Sequence, residues 1–320
     1  MSGAVRDVRY LLGALGWMVS VCLSGGVPAL ADGLNVPGGT IVQGAARSAK
    51  LGRAIPFTVY RPAQQGASRR VPVLYLLHGL SDNETTWLRL GKIKSTLDKL
   101  IAAQALQPVL VVMPRAGNSW YVDDVRPDGF GPVAQAMTSD LVAHVDQAFK
   151  TASCRSGRAV AGLSMGGFGA IQFAFEHPDK YAAAISLSGS LFSKGLTYEL
   201  KNFPRFVGLF GGVYGEPLNQ ARFNKYNVFA KLDRFAKAIE KPAIWLAAGD
   251  DDFPSIFRGA VRLHLELRRR NIKSELRVDN AGHTWGYWRR AIVPALKWLS
   301  PILTTDCRNH PRDTSSSVAN

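Results

Sequence analysis

The chain has 320 residues, of which 47% are hydrophobic and 20% charged, so it can bury a core of one large domain or two modest ones and is not a disordered chain. Its 39 Lys and Arg against 24 Asp and Glu leave a net charge of +15. The basic residues are scattered, with the densest runs at 69–70, 268–270 and 289–290, and no basic stripe with interleaved aromatics accompanies them. That pattern reads as a solvated basic surface and excludes a recognisable nucleic-acid site.

The first segment carries an address. Arg6 and Arg9 precede the apolar stretch "YLLGALGWMVSVCLSGG", which is too short and glycine-rich for a comfortable membrane span. Ala29 and Ala31 then form a small-x-small cleavage pattern, so residues 1–31 are expected to be a signal peptide and the mature chain to begin at Asp32. An uncleaved anchor is the alternative. Export predicts a periplasmic or secreted protein with no stable membrane span after cleavage. Of the three cysteines, Cys22 leaves with the leader, and Cys154 and Cys307 remain as an even pair in an oxidising compartment. They are expected to form a disulfide between the start of a central strand and the end of the last helix, against the alternative of two buried thiols.

From residue 54 onward, β-prone runs alternate with helical patterns. Strands are expected at 55–62, 71–79, 108–114, 158–164, 181–189, 241–249 and 274–280. Helices are expected at 93–103, 136–149, 168–175, 256–269 and 287–299. This alternation predicts an α/β fold with one mostly parallel sheet covered on both faces, in a single domain over 32–305. The segment 191–240 contains no strand pattern and reads as an insertion draped over the sheet's edge near a pocket. The tail 306–320 is nearly devoid of apolar residues and is expected to be disordered.

The chemistry centres on "RAVAGLSMGGFGAIQFAF" (158–175), where an apolar run changes from a loose strand alternation to helical spacing around Ser164. A G-x-S-x-G match alone is weak, but here a strand precedes it and a helix follows, the context in which the serine oxygen stands exposed at a tight turn. The helix also points its N-terminal amides at that serine. A serine hydroxyl needs a base. Of six histidines, His310 lies in the tail, and His144, His177 and His264 sit within or beside helices. His78 ends a strand in "HGLSDN" and reads as a turn-stabilising residue. His283, in the loop after the last strand, lies at the carboxyl edge where ligands bind in such sheets and is the candidate base. The orienting acid is sought after the strand ending at Gly249, where Asp250, Asp251 and Asp252 are all candidates and the residues alone do not separate them. The amides of Leu80 and Met165 are the candidate oxyanion donors. No cluster of His, Cys and carboxylates has metal-ligand spacing, so neither metal nor organic cofactor is expected.

Taken together, "LLHGLSDN", "MPRAGNSWYVD", "GLSMGGFGA", "AGDDDF" and "AGHTWGYW" resemble, in this order, the esterase D family of α/β-hydrolases, over residues 40–300. That family includes S-formylglutathione hydrolases, feruloyl and related carbohydrate esterases, and secreted mycolyltransferases. The resemblance implies an α/β-hydrolase fold and a serine esterase acting on small carboxylic esters, with short acyl or aryl and carbohydrate groups in view, which the leader pattern would place outside the cytoplasm. It implies Ser164 as nucleophile, His283 as base and Asp252 as acid, three residues past Gly249. It also implies a pocket bordered by the 118–121 loop, with Trp120 and Tyr121 as substrate-binding residues, and a Gly167 that permits close helix–strand packing. Acyl transfer to a sugar or lipid hydroxyl would use the same acyl-enzyme, and a non-catalytic exported binding protein is the alternative from another class.

Overall fold

The computed structural model describes residues 38–63, 70–192 and 208–307. The expected signal peptide and residues 308–320 of the tail lie outside them. Eight strands form one sheet in the order β1-β2-β4-β3-β5-β6-β7-β8: β1 (Thr40–Ser48), β2 (Arg53–Arg61), β3 (Val73–Leu77), β4 (Leu110–Pro114), β5 (Arg158–Leu163), β6 (Ala183–Leu187), β7 (Ala243–Gly249) and β8 (Ser274–Asp279). β1 pairs antiparallel with β2 and β2 antiparallel with β4, while every pair from β4 to β8 is parallel.

The central strands are buried along their whole length, which explains why they read as continuous apolar runs rather than alternating ones. Val73, Tyr75 and Leu77 face one core, and Leu74 and Leu76 face another. The first core is covered by α3 (Val133–Thr138), α4 (Asp140–Phe149), α5 (Met165–Glu176) and α8 (Pro254–Arg269). The second is covered by α1 (Thr86–Arg89), α2 (Ile93–Ala102) and α9 (Trp285–Leu299). No helix among the described residues is long and apolar enough to cross a membrane.

The structure departs from the sequence expectations at four places. β1 went unanticipated because "TIVQGAARS" has no β-branched residue after Val42 and is largely exposed, and its pairing with β2 defines it. The single helix expected at 136–149 is two helices broken at Ser139, whose hydroxyl donates to Gln135 O while Thr138 Oγ1 donates to Ala134 O. These local bonds compete with the helical ladder. α5 begins at Met165 rather than 168, so Gly166 and Gly167 lie within its first turn. Finally, the described part of the 191–240 segment, expected as an insertion near a pocket, brings Leu209 to the cavity and also packs into a core. Its short helices α6 (Gln220–Tyr226) and α7 (Leu232–Ala236) carry Phe223, Tyr226, Leu232 and Phe235 into the first core, where Phe235 stacks on Phe175 of α5 at 3.9 Å.

Candidate active site

Parallel pairing brings the carboxyl ends of β3, β4, β5, β6, β7 and β8 to one edge of the sheet, and the connections leaving them build the site. Ser164 follows β5 directly, at φ 52° and ψ −117°, a conformation that costs a non-glycine residue roughly 1–3 kcal/mol. Its surroundings hold it there. The Ser164 amide donates to Leu187 O at 2.9 Å, and its carbonyl accepts from the Phe168 and Ser190 amides at 3.0 and 3.2 Å. The neighbouring glycines do not themselves supply the positive φ. They allow the close approach, since a Cβ on Gly162 would stand 2.3 Å from Gly166 O and one on Gly166 2.6 Å from the carbonyls of Leu77 and His78. Gly167 packs likewise against the end of β6, where a Cβ would meet Gly189 Cα at 2.8 Å.

His283 and Asp252 reach Ser164 from the two adjoining loops. His283 Nε2 lies 3.0 Å from Ser164 Oγ, and His283 Nδ1 lies 2.8 Å from Asp252 Oδ1. With Nδ1–H donating to the carboxylate, Nε2 is free to accept the serine proton. Asp252 is fully buried at its side chain, its Oδ1 also accepts from the Phe253 amide at 2.7 Å, and its Oδ2 has no hydrogen-bond partner. The other two acids are elsewhere. Asp250 accepts from the Ala281 amide at 3.2 Å and so braces the histidine loop, and Asp251 is exposed. Gly249 lets these loops touch, since a Cβ there would meet Ala281 O at 1.8 Å.

Trp288 meets the His283 ring edge-on at 4.8 Å and is itself fixed by Nε1 donating to Ser188 Oγ at 3.1 Å. Phe253 packs on the same ring at 5.3 Å. The "AGHTWGYW" and "DDDF" stretches contain these aromatics, but their spacing gave no sign that they clamp the imidazole.

Across the cavity, Leu80 lies in the turn after β3, and Met165 is the first residue of α5, whose amide has no intrahelical acceptor. His78 is buried. Its Nε2 accepts from the Ala116 amide at 3.0 Å and its Nδ1 lies 2.7 Å from Gly79 O, so it ties the turn to the neighbouring loop. Burial lowers its pKa to about 4, against an opposing contribution from the Gly79 carbonyl, which leaves a neutral imidazole at pH 7.

The cavity over Ser164 has a volume of about 410 Å³. Trp120, Leu209, Phe253, Ile256, Trp285 and Trp288 supply most of its apolar wall. Trp120, expected at the pocket, is there, with Nε1 donating to Leu209 O at 2.9 Å. Tyr121 is not. It is fully buried behind the turn, donating its hydroxyl to His78 O at 3.1 Å, so its place is to support the turn rather than to touch a substrate. Their adjacency in the chain concealed that difference, which the surroundings of each side chain decide.

Residues 48–299 match the family model described as "Putative esterase". The chain belongs to the esterase family. Its chemistry is ester hydrolysis on an α/β-hydrolase fold. Among curated relatives, this esterase is 25% identical over 241 residues to an acetyl esterase of Caldicellulosiruptor saccharolyticus, covering 73% of this chain and 85% of the relative. It is 33% identical over 227 residues to an esterase of Mycobacterium tuberculosis, covering 68% of this chain but 47% of that longer protein. Among solved structures, a fluorophosphonate-binding serine hydrolase of Staphylococcus aureus superposes with a TM-score of 0.67 at 24% identity, covering 82% of this chain and 99% of the other. That likeness bears on the fold alone.

Proposed function

We propose that this protein is an exported serine esterase that hydrolyses small carboxylic esters through an acyl-Ser164 intermediate. The observation that carries the reading is the unbroken chain from Asp252 Oδ1 through His283 to Ser164 Oγ, at 2.8 and 3.0 Å, opening on an apolar cavity. Ser164 Oγ attacks the ester carbonyl carbon as its proton passes to His283 Nε2. The carbonyl oxygen becomes an oxyanion that accepts hydrogen bonds from the Leu80 and Met165 amides. Collapse of the tetrahedral intermediate breaks the bond to the alcohol, which leaves with the proton from His283. A water then gives a proton to His283 and attacks the acyl carbon, and the carboxylic acid departs as Ser164 regains its proton. Asp252 keeps Nδ1 protonated and stabilises the imidazolium in both halves.

The aromatic wall supports short acyl or aryl groups, and the relative named an acetyl esterase agrees with the former. Export, to the periplasm or beyond, is supported by the leader pattern in residues 1–31 and by the Cys154–Cys307 disulfide, a bond that persists in oxidising compartments.

The test is Ser164→Ala with a panel of chromogenic esters of rising chain length and a feruloyl ester. The variant should fold and lose hydrolysis by several powers of ten, and a fluorophosphonate should label the wild type at Ser164 but not the variant. Near-wild-type turnover by Ser164→Ala would overturn the mechanism.

A further inference from the structure

Among the described residues lining the cavity, two are ionisable, His283 and Asp82, and the mechanism uses only the first. Asp82 stands in the turn that follows β3, with its amide donating to Gly79 O at 3.3 Å. Its carboxylate is half-buried, and the Gly79 amide and Thr86 hydroxyl favour its charged form. A methyl group placed on Gly79 would lie 3.2 Å from Asp82 Oδ2 and 3.8 Å from Ser164 Cβ, so the carboxylate is within about 7 Å of the nucleophile's Cβ. Burial raises its pKa above the ordinary carboxylate value, and the exposed Arg89 opposes that rise from outside the cavity. A carboxylate has about four acceptor positions, so one that lines the cavity can act on whatever enters.

The rest of the molecule points the other way. A net charge of +15 draws anions towards the surface, yet among the described residues no lysine or arginine lines the cavity. An anionic ester that reaches the site therefore meets a fixed carboxylate with no lysine or arginine among the described lining residues, whereas a neutral or cationic ester meets no such repulsion.

We propose that Asp82 is a specificity-determining residue whose carboxylate discriminates against esters bearing a negative charge and favours neutral and cationic ones. The inference rests on the serine-esterase reading of the same site. At such separations inside a protein, a charge pair changes binding by about tenfold or more.

The experiment compares kcat/KM for para-nitrophenyl butyrate, its hemisuccinate analogue and its trimethylammonio analogue, with a second series carrying the same charges on the alcohol side of an acetate ester. Taking each charged-to-neutral ratio in Asp82→Asn relative to the wild type cancels differences in leaving-group reactivity. In at least one series the anionic-to-neutral ratio should rise about tenfold in Asp82→Asn, and the cationic-to-neutral ratio should fall. Asp82→Ser should shift both ratios in the same directions should the asparagine variant misfold. In the wild type alone, the anionic ester should be the poorest of its series. Ratios unchanged in both series, or a wild type that prefers the anions, would overturn the role of Asp82 while leaving the esterase intact. A wild type inactive on every neutral ester, or an active Ser164→Ala, would remove the serine-esterase reading and this inference with it.

Discussion

Asp252 holds His283 through a single carboxylate oxygen, and that oxygen is also the acceptor for the Phe253 amide. The neighbouring Tyr287 phenol is buried, and burial together with the carboxylates of Asp279 and Asp252 pushes its pKa far up, so it stays protonated beside the acid. Replacing Asp252 by Asn presents an amide where His283 needs an acceptor, which favours the wrong tautomer. Asp252→Asn should lower kcat/KM by roughly a thousandfold or more, as an acid-to-amide change does in a serine triad. Asp250→Asn should cost far less, since its amide oxygen can still accept from Ala281, and Asp251→Asn should sit near the wild type. Steady-state kinetics on the three variants distinguishes them. A severe loss at Asp250 or Asp251 with a mild one at Asp252 would move the acid to the other position.

At the scale of elements, β5 connects the chemistry to the staple. Ser164 sits at its carboxyl end, and Cys154 precedes its amino end by way of a short turn of 3₁₀-helix at Arg155–Gly157. Six residues of strand at about 3.3 Å each place the two roughly 20 Å apart. Cys307, just past α9, is bonded to Cys154 with Cα atoms 5.6 Å apart, and the bridge closes a loop of 153 residues. Loop-closure entropy alone would assign such a bridge about 5 kcal/mol, and removal of native disulfides typically costs ~2–5. Other ties share the load at this end, because Thr304 donates to Ser156 O at 2.9 Å and Gln107 donates to Ser300 O and Leu303 O. The double variant Cys154→Ser, Cys307→Ser should therefore unfold at a lower temperature yet keep kcat/KM at 25 °C. Thermal unfolding and ester assays on the same preparation check both halves. Lost activity in a folded double variant would show that the bridge acts on the site.

For the molecule as a whole, buried titratable groups set the response to acid. His78 has a folded pKa of about 4 because burial disfavours its charged form, while an unfolded histidine titrates near 6.5. Below pH 6.5 the unfolded chain takes up a proton that the folded one refuses, so stability falls until the folded group also titrates near pH 4. At about 1.4 kcal/mol per pH unit the loss over that window is of the order of 3 kcal/mol. Burial lowers His177 and His264 as well, and both add losses of the same sign. Glu176 acts in a more acidic window. Burial would raise it, but hydrogen bonds from Lys231 and Arg234 win and hold it at about 2, so its contribution is lost as pH falls from the unfolded value of 4.5 towards 2. Urea unfolding between pH 7 and pH 4 should show the wild type losing more stability than His78→Asn, with the gap between them narrowing on acidification. A gap that stays constant would mean that His78 is not held neutral.

The order of strands and helices, the serine turn and the candidate base were legible in the sequence because each depends on local patterning: a continuous apolar run, a change of period at Ser164, a histidine after the last strand. Choosing Asp252 among three adjacent acids needed the resemblance to a family, since residues on one loop differ only in which way the backbone turns them. Tertiary structure decided what no local pattern encodes. It separated Trp120, in the cavity wall, from Tyr121, behind the turn, and it drew Phe253 and Trp288 onto the His283 ring. It also placed the positive φ on Ser164 itself and left the glycines to admit the carbonyls of β3. These are contacts between segments far apart in the chain, fixed only when six parallel strands end at one edge of the sheet and their loops compete for the same space.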